Sequence, residues 1–140
     1  MAASLRKKFV AFFLRTLLGL IFLMQGFGKV FRWGIEEVYS STFTPLADSF
    51  LPFWLVKGTA YYTSYVELLG GILLVLGLFR TPALIGLGSV LLIVAYGHGL
   101  MQPIWELQHV AFRSLLLAGV LLLPDEWDKW SLDHLRSEQA

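Results

Sequence analysis

Residues 60–79 read AYYTSYVELLGGILLVLGLF, and this stretch decides the fold class. Glu67 is its one charged side chain, and the other residues are apolar, small or hydroxyl-bearing. A helix needs roughly 20 predominantly apolar residues to cross a hydrocarbon core of about 30 Å. The stretch therefore predicts a membrane-spanning helix rather than a surface helix of a soluble domain.

Three further windows of similar length and character occur along the chain. Two of them, residues 9–27 and 83–102, are predominantly apolar and clearly marked. The window at 104–123 carries several polar side chains before its apolar run, so its beginning is less sharply marked. We predict an all-α, integral membrane four-helix bundle that forms a single domain. Its spans are expected at about residues 9–28, 58–79, 83–102 and 104–123.

The composition agrees with this class and excludes several functions. Hydrophobic residues make up 56% of the 140 residues, and charged residues make up 15%. Soluble domains have about 45–50% apolar and about 25% charged residues. The net charge of +1, without a long basic run, disfavours nucleic-acid binding. Cysteine is absent, which excludes disulfides, thiol redox chemistry and cysteine-ligated metals.

Basic residues in the short loops predict the orientation. The segment 6–8 is basic and precedes the first span, and Arg80 lies in the turn between the second and third spans. By the positive-inside rule the bundle is N-in/C-in, with an extracytoplasmic loop at about 30–57 and a cytoplasmic tail at 125–140. Charges in that loop are mixed, since basic Lys29, Arg32 and Lys57 are accompanied by acidic Glu36, Glu37 and Asp48.

The loop and the glycines add two local predictions. Thr44-Pro45 is typical of the N-cap and first residue of a short helix, and the second span is expected to begin near Pro52. Gly19 and Gly26 in the first span are spaced like Gly70 and Gly77 in the second. Small residues allow close helix contact in lipid, so we expect these two helices to pack at glycine positions.

Ionisable side chains within the spans indicate where any chemistry lies. Each costs roughly 2.5–3.5 kcal/mol near the bilayer centre and should face the bundle interior with a partner. At 1.5 Å per residue, Glu67 and Arg113 lie ~10 and ~13 Å below the outer edge, which makes an ion pair between them plausible. We predict an outer polar pocket formed by Gln25, Glu67, His98, Gln102, His109 and Arg113.

Structural interpretations of these groups stay open beside the functional one. The Glu67–Arg113 pair would equally serve to lock two helices together, and the histidines would equally serve as interfacial groups. Arg15 lies ~9 Å from the inner edge, from where it is expected to snorkel toward cytoplasmic headgroups. No H-x-x-H or E-x-x-H spacing supports a metal site, so none is predicted.

Four motifs in order along the chain resemble the DoxX family. They are Arg15-x-x-x-Gly19, then Gly26-x-Gly28-Lys29, then the string from Glu67 to Arg80, and finally Trp130-Ser131-Leu132-Asp133. The likeness covers about residues 10–135. It implies a small multi-pass protein of the bacterial inner membrane, and it draws attention to the motif-matching polar residues Arg15, Lys29 and Glu67.

The resemblance also implies a link to redox chemistry, because the family takes its name from a subunit of a thiosulfate:quinone oxidoreductase. Our first hypothesis is a membrane subunit of a quinone-linked redox assembly, with quinone as a possible cofactor in the outer pocket. The alternative is a non-catalytic anchor, assembly factor or accessory subunit, and transport of a small solute is a weaker third. Expected partners are the lipid bilayer and other membrane subunits or further copies of the chain, without nucleic acid.

Overall fold

The computed structural model describes residues 2–43, 50–101 and 107–139. Within these ranges the regular structure is entirely helical, so the predicted all-α class is confirmed. Four longer helices are α1 (Ala2–Phe27), α3 (Phe53–Leu76), α4 (Arg80–Met101) and α5 (Gln108–Leu122). Shorter elements are a π-helical turn at Gly28–Arg32, α2 (Ile35–Val38), a second π-helical turn at Tyr39–Phe43, a 3-10 turn at Asp125–Trp127, and α6 (Leu132–Gln139).

Three helical segments are long and apolar enough to cross a membrane. They are Ala2–Arg32, which joins α1 to its π-helical turn, together with Phe53–Leu76 and Arg80–Met101. Helix α5 has 15 residues and is therefore about 22 Å long, which is short of a full crossing. The predicted beginning of that span at 104, and likewise Gln102 and Thr44-Pro45, lie outside the described residues.

Helices α1 and α3 pack closely at glycine positions. A Cβ atom added to Gly26 of α1 would lie 2.3 Å from the backbone nitrogen of Leu68 in α3. In the reverse direction, a Cβ on Gly71 of α3 would lie 2.4 Å from the backbone nitrogen of Leu23 in α1. Such distances leave no space for a side chain, so the predicted packing of these helices through small residues is confirmed.

The core lies between all four longer helices. Leu18 and Phe22 of α1 and Leu74 of α3 are fully buried. They belong to one cluster with Leu84, Leu87 and Leu91 of α4 and with Val110 and Val120 of α5. The opposite faces of the same helices carry exposed large apolar residues, such as Leu92, Phe112 and Leu122. An apolar outer surface of this kind suits a hydrocarbon environment rather than water.

Arg15 of α1 is buried, and the prediction that it snorkels to the headgroups is wrong. Its side chain is 1% exposed, and its Nε lies 2.9 Å from Oδ2 of Asp128, in an ion-pair contact without hydrogen-bond alignment. Its terminal nitrogens donate to the carbonyl oxygens of Leu74, Val75 and Trp130. Two of these carbonyls belong to the last turn of α3, where the helix leaves acceptors without an internal partner.

The C-terminal segment folds back onto this end of α3. Gly77 ends α3 in the left-handed conformation with φ of 69°, which glycine adopts without steric cost. Its carbonyl accepts a hydrogen bond of 3.0 Å from the backbone nitrogen of Asp133. A Cβ on Gly77 would lie 2.6 Å from Cβ of Ser131, so the segment reaches the turn only because this residue is glycine.

Candidate functional site

A cavity of about 710 Å³ lies between the helices at the C-terminal end of α1, away from Arg15. From Arg15 to Lys29 the helical rise is about 21 Å, so the two sites occupy different depths of the molecule. Five residues of the predicted polar pocket line this one cavity: Gln25, Glu67, His98, His109 and Arg113. Gln102, the sixth, lies outside the described residues.

Glu67 pairs with Lys29 rather than with Arg113. The Lys29 Nζ lies 2.6 Å from Oε2 of Glu67, whose side chain is 0% exposed. The predicted direct ion pair between Glu67 and Arg113 is therefore wrong. The close contact of α1 with α3 at Gly26 explains the difference, since it brings the end of α1 next to Glu67. The other carboxylate oxygen of Glu67, Oε1, is buried and has no hydrogen-bond partner in the structure.

Arg113 of α5 crosses the cavity to α1. Its side chain is 6% exposed, and one terminal nitrogen donates to Oε1 of Gln25. Its Nε donates at 3.0 Å to the carbonyl oxygen of His109, one turn earlier in the helix. Its guanidinium lies 5.7 Å from the ring centre of Phe22. The hydrogen-bond acceptors of this buried cation are thus an amide and a carbonyl oxygen, neither of which neutralises its charge.

The two cavity histidines lie next to each other. The rings of His98 in α4 and His109 in α5 are 5.2 Å apart between centres and meet nearly edge to face. His98 Nδ1 lies 2.9 Å from the carbonyl oxygen of Val94. A carbonyl only accepts, so Nδ1 carries the proton, and in the neutral ring Nε2 is the acceptor. A neutral His98 therefore presents a basic nitrogen, and a protonated one presents a second donor.

The first loop contributes a wall of the cavity that the sequence did not reveal. Trp33, Glu37, Val38, Thr42 and Phe43 line the cavity together with the helical residues. The wall begins at Gly34, whose φ of 83° turns the chain back toward the helices, and Ile35 and Val38 are then buried. The glycine and the apolar residues of this loop are the features of the sequence that could have pointed to the wall. The loop is too short for a repeating apolar pattern, so these residues alone do not indicate a cavity wall.

Glu36 fastens this loop to α3 outside the cavity. Its carboxylate accepts a hydrogen bond of 2.6 Å from the hydroxyl of Tyr61, and its Oε1 lies 3.0 Å from Nζ of Lys57. The hydrogen bond from Tyr61, followed by the interaction with Lys57, lowers the pKa of Glu36 below its ordinary value of 4.5. This contact therefore favours the docked loop above pH 4.5 and is lost as the pH falls through the lowered pKa of the folded state.

Tyr61→Phe is expected to raise the pKa of Glu36 toward 4.5, because the variant removes the largest cause of its shift. The measurement is an NMR titration of carboxyl resonances in protein labelled at glutamate. Tyr62→Phe is the matched control, since the Tyr62 hydroxyl lies 2.7 Å from Ser89 Oγ rather than near Glu36. An unchanged titration of Glu36 in Tyr61→Phe would show that the loop does not contact α3 in this way.

The described residues, 2–43, 50–101 and 107–139, contain no group of three histidine or acidic side chains that could hold a metal ion. The polar groups described above are hydrogen-bond donors, hydrogen-bond acceptors and one buried carboxylate.

Apolar helices of spanning length around an internal polar cavity define a helical integral membrane protein. The DoxX family model matches residues 10–99, which include Arg15, Lys29, Glu67 and His98. The chain belongs to the DoxX family, and the predicted resemblance is confirmed over residues 10–99, which leaves the motif at Trp130–Asp133 beyond the matched range. Comparison with curated proteins and with solved structures gives no match.

Proposed function

We propose that this DoxX-family protein is the membrane subunit of a quinone-linked redox assembly in the bacterial inner membrane. The observation that carries the proposal is the buried carboxylate of Glu67 at the cavity, with Lys29 on one oxygen and, among the described residues, no hydrogen-bond partner on the other. A buried acceptor without a partner is costly in a low-dielectric interior. A ligand that donates a proton or a hydrogen bond to Oε1 would remove that cost.

The cavity suits a quinone head group by size and by chemistry. Cofactor sites typically have volumes of about 300–1,000 Å³, mostly apolar walls and a few polar groups. Here Met24, Val38 and Phe43 contribute apolar wall, while Arg113 and His98 supply polar groups. We expect the guanidinium of Arg113 to donate to one quinone oxygen. Nε2 of His98 would donate to the other when the ring is protonated, and would accept from the hydroxyl of the reduced form when the ring is neutral.

A quinone takes up two electrons and two protons on reduction, and the electrons would come from a redox partner of the assembly. The contribution of this chain is binding and proton handling. On reduction, Glu67 takes up a proton from the loop side of the cavity, where Lys29 is 20% exposed, and passes it from Oε1 to a quinone oxygen. Lys29 Nζ lies 2.6 Å from Oε2 of Glu67 and offsets the negative charge of the carboxylate.

We also propose the four-helix, N-in/C-in arrangement for this protein. Lys7 Nζ lies 5.1 Å from the ring centre of Trp127, and Arg15 donates to the carbonyl of Trp130. The start of α1 and the segment after α5 thus lie at the same end of the molecule. An even number of crossings accounts for that contact, and the basic segment 6–8 favours the cytoplasm for this end.

An accessory, non-catalytic subunit is the second candidate, and the helix-bridging contacts favour it. The Lys29–Glu67 pair joins α1 to α3, and the Arg113–Gln25 hydrogen bond joins α5 to α1. Both contacts would stabilise the bundle without any ligand. In that case the apolar outer surface would serve to bind other membrane subunits or further copies of the chain.

Quinone retention on purification separates the two candidates. Protein isolated in mild detergent with native lipid is expected to carry about one quinone per chain, measured by extraction and mass spectrometry. Glu67→Gln is expected to lower retention of the reduced form, the quinol, about tenfold or more, because a quinol hydroxyl donates to this charged acceptor and such a bond is worth roughly 1.5–3 kcal/mol. Glu138→Gln is the matched control, since that carboxylate is exposed on α6 and lies 3.2 Å from Nε2 of His134, outside the cavity.

A second variant covers the possibility that Glu67→Gln fails to fold. His98→Phe keeps a planar aromatic ring, removes both ring nitrogens and leaves the Lys29–Glu67 pair intact, and it should also lower quinone retention. No quinone in the wild-type protein, together with loss of a stoichiometric partner complex in Glu67→Gln, would overturn the redox proposal in favour of the accessory role.

A further inference from the structure

A second, mainly apolar cavity of about 300 Å³ adjoins the polar cavity. Its walls include Leu55 and Val56 of α3 and Ile93 and Met101 of α4. It lies on the same half of these helices as His98, between α3 and α4. Apolar cavities inside a protein usually stay dry, and they hold apolar groups rather than water. The second cavity is therefore suited to a hydrocarbon chain.

The two cavities share part of their walls. Thr42, Phe43, Val94 and His98 line both of them. The imidazole ring of His98 lies where the two cavities meet. Its Nδ1 is 2.9 Å from the carbonyl oxygen of Val94. A molecule whose polar head lies against His98 in the first cavity would have its apolar part directed into the second.

The apolar cavity also borders the outer surface of the molecule. Tyr96 lines it and is 55% exposed, and Leu92, one turn before Tyr96 on the same helix, is 75% exposed. These side chains belong to the face of α4 that suits lipid. The cavity thus connects the polar site with the hydrocarbon of the bilayer, rather than with water at the membrane surface.

We propose that the isoprenoid tail of the bound quinone leaves the polar cavity past His98 and passes through the apolar cavity, between α3 and α4, into the outer leaflet. This inference rests on the proposed function and adds the route by which the ligand enters. The wall that the two cavities share, with His98 on it, assigns the tail as the occupant. An entry from lipid also agrees with the loop wall at Trp33 and Phe43, which borders the polar cavity on its outer side.

The test compares a quinone without a tail and one with a decyl tail, each binding to the full-length protein in lipid nanodiscs. Ile93→Trp fills the apolar cavity, and Leu92→Trp is the matched control because it places the same ring on the lipid face one position earlier. Ile93→Trp should weaken binding of the decyl quinone about tenfold or more, because the indole ring takes the space that the tail would occupy. Binding of the tailless quinone should stay within about twofold of wild type, and Leu92→Trp should change neither.

A decyl quinone with a photoreactive diazirine on its tail gives a second readout that needs no variant. Labelling is expected on peptides that contain Leu55 or Ile93. Equal weakening of both quinones by Ile93→Trp, or labelling confined to the first loop, would overturn the tail route and leave the quinone site standing. Failure of the wild-type protein to bind either quinone would instead overturn the proposed function, and the tail route with it.

Discussion

Arg15→Met is expected to lower the free energy of unfolding by about 3–5 kcal/mol, because removing one member of a buried ion pair leaves the other charge uncompensated. The charge left behind is Asp128, whose side chain is 5% exposed. Arg80 lies 3.8 Å from the same carboxylate oxygen and offsets only part of the loss. The variant also removes the side-chain donor to the carbonyls of Leu74 and Val75 at the end of α3, of which Leu74 keeps its hydrogen bond from the backbone nitrogen of Gly77.

Thermal unfolding in a mild detergent, followed by circular dichroism and tryptophan fluorescence, measures this effect. Arg6→Met is the control, because Arg6 is exposed at the same end of α1 and should change the stability by about 0.5 kcal/mol or less. The double variant Arg15→Met/Asp128→Leu should be more stable than Arg15→Met alone, since it removes the stranded charge. Equal stability of Arg15→Met and Arg6→Met would mean that Arg15 snorkels to the headgroups after all.

The burial of Arg15 could not be predicted because its partners are remote in the sequence. Trp130, which accepts one of its hydrogen bonds, is 115 residues away. Depth along a helix follows from the helical rise and is readable from sequence, and by depth alone Arg15 is near enough to the headgroups to snorkel. Its actual environment depends on the C-terminal segment folding back at Gly77, which no local pattern near Arg15 encodes.

At the candidate site, too, the sequence indicates how deep each side chain lies but not the direction in which it points. The depth argument placed Glu67 and Arg113 at similar levels, and the structure has both on one cavity. Depth does not determine which way each side chain points around its helix axis. Lys29 lies in a motif that resembles the family, but it was not predicted to form an ion pair with Glu67. The glycines that bring α1 against α3 were recognised from the sequence. Combining that close contact with the position of Lys29 just after α1 would have identified the pair.

The prediction that Gly26 is required follows from the same contact between α1 and α3. Gly26→Ala should lower the free energy of unfolding by about 1–3 kcal/mol or more, because the added methyl group overpacks the helix interface. Its Cβ would lie 2.3 Å from a backbone nitrogen of α3, which unlike a side chain has no other rotamer to adopt. The helices must then separate, and the Lys29–Glu67 pair, with its Nζ–Oε2 distance of 2.6 Å, must lengthen with them.

Gly58→Ala provides a matched control on α3. A Cβ at Gly58 meets no atom within 4 Å, so alanine should be neutral or stabilising by up to about 1 kcal/mol through its better helix propensity. The two substitutions add the same methyl group to a helix and are expected to shift the unfolding temperature in opposite directions. Equal shifts would show that helix propensity alone governs both sites. A loss of stability at Gly26 alone, accompanied by loss of bound quinone, would mean that the glycine contact holds Glu67 in place for the cavity.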